Sequence, residues 1–535
     1  MDSKILVLSM DRSTKKLKPK RLRVPHACDR CRAKKKKCDG RRPCKLCKNS
    51  LKECIYSNKK KASPSTEEPV PLPPIDIAMK LMRKSWNRAG VLFSFYHRPT
   101  IVRILETLYL PLGHPTEEQM RARPLIYAIL AVGALFAKDD WQNSDNTLKE
   151  FYQDEGKRYF LAAKSMLDLT NITDLFAIQT MCMLTMFLQC SAELKSCYSY
   201  MGITLRAALS EGLHIKKTLN GPSAIEDESR KRLFWTVYKV DIYMNCILGL
   251  PQSIPEDSVN QDFPSEFDDE NITCEGFLEQ AAAKISSATI NNEHTKLMLI
   301  ILRIQKTLYP VLTWTEETYT KMLALTNDLD EWLLRLPIQL NPECNCNNDS
   351  EQADRLRPSK LLYMDFLLAR LLLSLPFVHY VALEPIEAPH YSFQISVGWS
   401  CIQVAHDVIY LAEEMIENKL LFSGHWFSMH TIFQSVKCLM FYQRLMDSSL
   451  AASNGMNIRE VCKLGVQVLT CLKNGSQAGE RTFDALTSLF KDFIRNTINL
   501  SLHVKANAAS RSRLGTEEED LQWWIDRTKL EEIGG

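Results

Sequence analysis

The sequence predicts a small N-terminal module built around cysteines, followed by a large all-α domain. Three observations carry this expectation. Six of the 17 cysteines fall between Cys28 and Cys54. The charge is split: residues 1–62 hold 22 Lys and Arg against 5 Asp and Glu, a net +17, while the rest of the chain is net −13. Beyond residue 75 apolar residues recur at helical spacing, and sustained alternation is scarce.

A chain of 535 residues is long enough for roughly two to four domains. No uninterrupted apolar run reaches the ~18 residues a membrane span needs. The longest candidate, "LLYMDFLLARLLLSLPFVHYVAL", contains Asp365, Arg370 and Pro376 and reads as a buried helix plus a turn. The early run "ILVLSM" is too short for a signal peptide. The chain is therefore read as intracellular with no membrane partner. In that reducing setting clustered cysteines point to metal rather than disulfides.

Residues 1–25 form a basic arm. Its densest part, "KKLKPKRLRV" from Lys15 to Val24, lacks apolar periodicity and reads as a nuclear import signal, a phosphate-binding arm, or both.

Residues 26–56 carry the cysteines, spaced C-x2-C-x6-C-x5-C-x2-C-x6-C: Cys28, Cys31, Cys38, Cys44, Cys47 and Cys54. The frame C-x2-C-x6-C occurs twice, so each half offers three thiolates. A structural zinc takes four ligands, and one half alone cannot close a site. Two zincs need eight ligand positions, which six thiolates fill if two of them bridge, one from each half by pseudo-symmetry. Two rivals remain. A single zinc on Cys28, Cys31, Cys44 and Cys47 leaves Cys38 and Cys54 free and their matching offsets unexplained. Redox chemistry at the two C-x-x-C pairs expects an apolar strand-helix setting, and here the surround is lysine and arginine.

The spacing, the "ACDRCRAKKKKCD" opening and the "RRPC" turn resemble the fungal binuclear zinc cluster, the two-zinc, six-cysteine transcription factor family. The resemblance implies two zinc ions bridged by Cys28 and Cys44. One would take Cys28, Cys31, Cys38 and Cys44, and the other Cys28, Cys44, Cys47 and Cys54. A module of this size cannot bury enough apolar surface to fold alone, so the metals would supply the folding free energy.

The first half is the more basic, with Arg30, Arg32, Lys34, Lys35, Lys36 and Lys37 against Asp29; the second has Lys45, Lys48 and Lys52 against Glu53. If one half faces DNA, it is the first. The six residues between Cys31 and Cys38 lack proline and glycine and favour a short helix, which suits the major groove, where lysine donates to guanine. In the family the third and fourth residues after the second cysteine contact bases. The resemblance thus assigns base contacts to Lys34 and Lys35 and a CGG-type triplet as the half-site. Arg32, Lys36 and Lys37 are expected on phosphates. Gly40 and Pro43 shape the loop between the halves.

Residues 57–75 read as a proline-rich linker, with five prolines between Ser57 and Pro74. No sustained heptads follow it. "IDIAMKLMRKSW" offers barely two apolar turns, so a homodimer is possible but lacks a clear coiled coil.

Residues 76–504 read as helix after helix. "TDLFAIQTMCMLTMFLQC" is apolar nearly all round, with Thr173 a possible cap. "DESRKRLFWTVYKVDIYMNCILGLP" should stop near Gly249 and Pro251. Three stretches, Leu92–Leu105, Gly202–Ile215 and Arg230–Ile254, together resemble the middle homology region of the same fungal regulators, which implies a helical regulatory domain. Cys182, Cys190, Cys197, Cys246 and Cys438 read as buried thiols, and Cys344 and Cys346 as loop residues. No zincin, P-loop, nucleophile-elbow or Rossmann pattern occurs, so no enzyme is expected and His214, Asp241 and Tyr243 read as packing or surface residues. The tail 505–535 mixes acids with Leu521, Trp523, Trp524 and Ile525, either as an activation surface or as a last amphipathic helix.

The expectation is a zinc-dependent, sequence-specific transcription factor of the nucleus, acting on RNA polymerase II genes, with double-stranded DNA and the transcription machinery or co-regulators as partners. The rival is an architectural or partner-recruiting nuclear protein whose zinc module lacks sequence choice.

Overall fold

The structure, a computed structural model, describes residues 28–34, 36–39, 41, 43–50, 52, 54, 70–110, 114–137, 146–217, 222–280, 285–309, 315–342, 352–382, 391–447, 458–475, 479–481 and 483–484. The expectations for the basic arm, the C-terminal tail, Lys35, Cys344 and Cys346 lie outside these residues. The chain divides into two compact units, Met1–Pro69 and Val70–Gly535.

The N-terminal unit holds two short helices, α1 (Asp29–Ala33) and α2 (Lys45–Asn49). Each starts on the residue after a cysteine, because that cysteine's sulfur is the cap. Cys44 Sγ accepts the Cys47 N–H at 3.4 Å, and Cys28 Sγ accepts the Cys31 N–H. Each also ends alike, with Lys36 N on Cys31 O at 2.9 Å and Lys52 N on Cys47 O at 3.2 Å. Propensity placed the first helix on the lysine run. The sulfur cap draws it earlier in the chain, so Lys34 sits in the turn that closes α1, and Lys36 and Lys37 lie beyond it.

The second unit is helical, with α3 (Ile75–Asn87), α4 (Arg98–Leu108), α5 (Glu117–Ala137), α6 (Asn146–Ser165), α7 (Leu175–Cys190), α8 (Leu194–Ser210) and α9 (Ala224–Leu248) in its first part. Then come α10 (Ser287–Leu308), α11 (Glu316–Arg335), α12 (Gln352–Ser374), α13 (Tyr391–Glu417), α14 (Trp426–Asp447) and α15 (Ile458–Gly475). Among the described residues there is no β-strand, only isolated bridges at Ile215–Asn260 and Ile272–Phe277. Successive helices pack on one another, and α5 touches α3, α4, α6 and α7.

The caps follow local chemistry. Asp174, not Thr173, caps α7 and accepts the Ala177 N–H at 3.0 Å. Ser223 caps α9, and Gly249 ends it at φ 65°, a left-handed conformation that suits glycine. The apolar run around Asp365 is α12 followed by a 3-10 turn from Leu375 to Ala382. The stretch behind the proline-rich segment, α3, buries Ala78, Leu81 and Met82, and its apolar face is spent inside the body. Residues 70–74 already belong to this unit: Tyr127 donates to Val70 O and Tyr109 to Pro73 O.

Length and hydropathy alone would let three helical stretches cross a membrane: Glu117–Ala137, Leu356–Val381 and Tyr391–Glu417. This corrects the view that no stretch is long enough, because scattered polar residues broke the runs without lowering their mean. In α5 every residue from Leu125 to Gly133 is buried, since neighbouring helices cover it on several sides.

One apolar core runs from Ala78 to Phe483. The first turn of α14 joins its early and late helices. Trp426 is fully buried, Phe427 lies 3.6 Å from the Tyr243 ring centre and 6.4 Å from that of Phe93, and His425 faces Phe136. Arg357 is buried beside it and donates to Asn87 O (2.9 Å), Leu420 O (3.1 Å) and Lys419 O (3.2 Å). These carbonyls sit at or just beyond the C-terminal ends of α3 and α13, where free carbonyls favour a cation.

Candidate metal centre and nucleic-acid interface

Five cysteine side chains of the N-terminal unit, Cys28, Cys31, Cys38, Cys44 and Cys47, are buried against one another, with the half-buried Cys54 beside them. The Sγ atoms of Cys28, Cys31, Cys44 and Cys47 all lie within 4.8 Å of each other. The Cys28–Cys44 separation is 3.8 Å, and Cys28–Cys47 and Cys31–Cys44 are each 3.7 Å. A disulfide needs about 2.05 Å. Thiolates about 2.3 Å from a tetrahedral zinc are about 3.8 Å apart, so these spacings fit ligands around metal.

The remaining two cysteines gather at Cys44. Cys38 lies within 4.8 Å of it, and Cys54 Sγ accepts the Cys44 backbone N–H at 3.2 Å. Cys28, Cys31, Cys44 and Cys47 each touch thiols of both halves. The Cys47 N–H, opposed by burial, holds the Cys44 thiol below its ordinary value. Burial works to raise Cys28, but the Cys31 N–H and neighbouring thiols outweigh it and lower it. Burial and the neighbouring thiols push Cys47 up to about 12, and hydrogen bonding to Cys28 raises Cys31. A divalent cation supplies the charge that lets all of them ionise together.

Two supports of the site escape sequence reasoning. Asp39 accepts the Lys45 N–H at 3.2 Å and the Arg41 N–H at 3.4 Å, which ties the inter-half loop to the start of α2. Arg30, counted among the DNA-facing cations, donates to Ser50 Oγ at 2.9 Å and links α1 to the end of α2. An acid directly after the third cysteine is the available signal for Asp39. Nothing local marks Ser50.

Lys34, Lys36 and Lys37 are exposed, as are Arg41, Lys45, Lys48 and Lys52; Arg32 has its backbone in α1. A thiol core with a rigid lysine-bearing rim can do two things: hold metal, and present fixed cations to a polyanion.

In the helical unit, Asp241 accepts hydrogen bonds from Gln252 and Ser253, and Tyr243 donates to Asp365 at 2.5 Å. Lys239 is buried and donates to Asn291 Oδ1 at 2.9 Å and to Leu92 O, and burial holds its ammonium well below the usual range. These contacts knit α9, α10, α12 and the 91–97 loop.

Comparison with known proteins agrees with this division. The model of the fungal Zn(2)-Cys(6) binuclear cluster domain matches residues 26–63, and that of the fungal specific transcription factor domain matches residues 86–334. The Saccharomyces cerevisiae protein YJL206C, whose name places it among transcriptional regulators, is 39% identical over 93% of this chain and 80% of its own length. Activator of stress genes 1 of the same yeast is 40% identical over 80% of this chain and 45% of its own length. Activator of stress genes protein 1 of Candida albicans is 36% identical over 81% and 48%. This chain thus spans four-fifths of the first relative and just under half of the other two. The cluster domain implies two zinc ions bound by cysteines, and the structure gathers the six thiols in one cluster that can hold them. The chain belongs to the fungal Zn(2)-Cys(6) binuclear cluster family of transcription regulators.

Proposed function

We propose that this chain is a nuclear, sequence-specific regulator of RNA polymerase II genes that reads a CGG-type triplet in the major groove. Lys34 and Lys35 contact base edges, and Arg32, Lys36 and Lys37 contact phosphates. In this reading Cys28 and Cys44 bridge the two zincs. Cys31 and Cys38 complete one site, and Cys47 and Cys54 the other. The observation that supports it is that Lys34 sits in the turn closing α1, directly behind the cysteine cluster, with Lys36 and Lys37 exposed just beyond it. Lys34 N bonds Arg30 O at 3.0 Å and Lys36 N bonds Cys31 O, so the lysine backbone is tied to a metal ligand.

The tied backbone fixes where each lysine side chain starts, and a good base contact discriminates by roughly 1–3 kcal/mol. Two relatives are named as activators of stress genes, and activation under stress is the corresponding reading here. The helical unit then serves as the regulatory part, and pairing of two chains is read from the spacing of their triplets.

Selection of bound duplexes from a random library by the full chain tests this. A CGG-type triplet should be enriched, and Lys34→Ala with Lys35→Ala should weaken the selected duplex by at least tenfold. Lys36→Ala should weaken all duplexes alike and lower the salt slope by about one. If no triplet is enriched while binding persists, the architectural reading replaces this one.

A further inference from the structure

The helical unit carries an acidic, apolar surface with no assigned role. Residues 256–279, "EDSVNQDFPSEFDDENITCEGFLE", hold nine Asp and Glu and no Lys or Arg. The segment is an ordered loop. Its anchor is Asp269, buried against Arg232 and bonded by the Arg98 N–H at 3.0 Å. Gln280 Oε1 accepts the Asp268 N–H at 2.6 Å and Asn271 Nδ2 at 3.2 Å, and Ile272 pairs with Phe277.

A groove of about 690 Å³ opens between this loop, the start of α10 and residues 337–339. Its apolar lining is Phe267, Phe277, Leu278, Ile285 and Pro337. Phe277 is 45% and Leu278 53% exposed, and Ile338 beside the groove is 71% exposed, so apolar surface is left in water. Two carboxylates line the same groove, Glu266 and Glu279. Glu266 is held by neutral donors, Asn292 Nδ2 at 3.3 Å and Thr289 Oγ1 at 3.4 Å. Among the described residues neither carboxylate has a cationic partner, and the same holds for Glu256, Asp257, Glu270 and Glu275 around them. Lys216, a described lysine beside this loop, is engaged by Asp262 at 2.5 Å.

We propose that this groove docks a basic peptide segment of a partner protein, which seats an apolar side chain on Phe277 and Leu278 and sets Lys or Arg against Glu266 and Glu279. The charge selects the occupant. Six carboxylates with no cation paired to them among the described residues, Glu256, Asp257, Glu266, Glu270, Glu275 and Glu279, repel nucleic acid and acidic peptides and attract a basic chain. The exposed rings supply the anchor that charge alone lacks. Because Glu266 and the loop backbone are already held by hydrogen bonds, docking orders little of this protein.

The test uses the full chain and a fluorescent probe peptide that interleaves Lys and Arg with Leu and one photo-crosslinking aromatic residue. Anisotropy should report saturable binding. Glu279→Lys with Glu266→Gln, which keeps an acceptor for Asn292 and Thr289, should weaken it at least tenfold, and Phe277→Ser several-fold, with the main thermal transition retained. Glu317→Lys with Glu331→Lys on α11 should leave it within twofold, and a probe with Ser in place of its apolar residues should bind at least fivefold more weakly. Crosslinks should fall within 263–289 or 337–339. Equal weakening by the α11 pair, no effect of the groove variants, or crosslinks elsewhere would overturn the proposal.

Discussion

The two compact units solve the same problem with opposite chemistry. The helical unit excludes water with a continuous core from Ala78 to Phe483. Its few buried charges are locked by long-range partners such as Arg232 with Asp269. Among the described residues of the N-terminal unit the buried side chains are thiols, and most of the lysines and arginines around them are exposed. A hydrophobic core tolerates charge only where it is paired. A metal–thiolate core needs so little apolar surface that nearly every other side chain is free to face solvent. Economy of core is what lets a short module carry so dense a positive surface.

The largest expected effect breaks this comparison at the metal. Chelation, or Cys44→Ser, should unfold the N-terminal unit, since structural zinc contributes about 10 kcal/mol or more to small modules. Specific DNA binding should vanish while the main thermal transition of the helical unit stays in place. A simultaneous loss of both, seen by calorimetry, would mean the two cores are not independent.

Next in size is the buried ion pair. Asp269→Ala strands Arg232 and should cost about 3–5 kcal/mol, read by urea unfolding. Burial tends to raise the Asp269 carboxyl, but Arg232 and the Arg98 N–H outweigh it and lower it. Its contribution is therefore present above the ordinary carboxylate range near pH 4 and is lost as pH falls through the lowered value.

Gly133→Ala comes third. A Cβ there would stand 2.1 Å from Leu81 O, backbone against backbone between α3 and α5. The helices must move apart, at about 1–3 kcal/mol or more, and the triplet preference of the N-terminal unit should be untouched.

The last effect is nil at neutral pH and appears only as a slope on acidification. Burial, with Arg357 for His425 and Lys437 for His430, holds both imidazoles down to about 3. Between the unfolded value near 6.5 and that lowered value the unfolded chain binds the extra protons. Stability should therefore fall as pH drops below about 6.5, by up to about 1.4 kcal/mol per pH unit for each histidine. His430→Leu should flatten that slope if its volume is accommodated, and an unchanged slope would deny the assignment.

Much of the molecule is legible without coordinates. The cysteine frame gives the metal composition because ligand number and spacing are local in sequence. The helices of the body follow from periodicity, and Gly249 ends α9 as expected because a left-handed cap is a single-residue property. What stayed hidden involves contact. Thr173 is the expected cap of α7, but Asp174, the stronger capping residue type, takes the position and accepts the Ala177 N–H. The first cluster helix was displaced because a sulfur, which propensity scales do not treat as a cap, starts it at Cys28.

The sequence by itself determined the division into a thiol-centred basic head and an acidic helical body, because charge segregation and cysteine spacing are readable one residue at a time. Tertiary structure decided where the body's buried charges find partners. Lys239 meets Asn291, Arg357 meets the ends of α3 and α13, and Asp269 meets Arg232. It also decided that the apolar face of α3 is consumed within the body, and that Glu266 and Glu279 meet across an apolar groove. The physical reason is the same in each case: a lone charge or an apolar stripe has no defined energy until its neighbour is known, and those neighbours lie far along the chain.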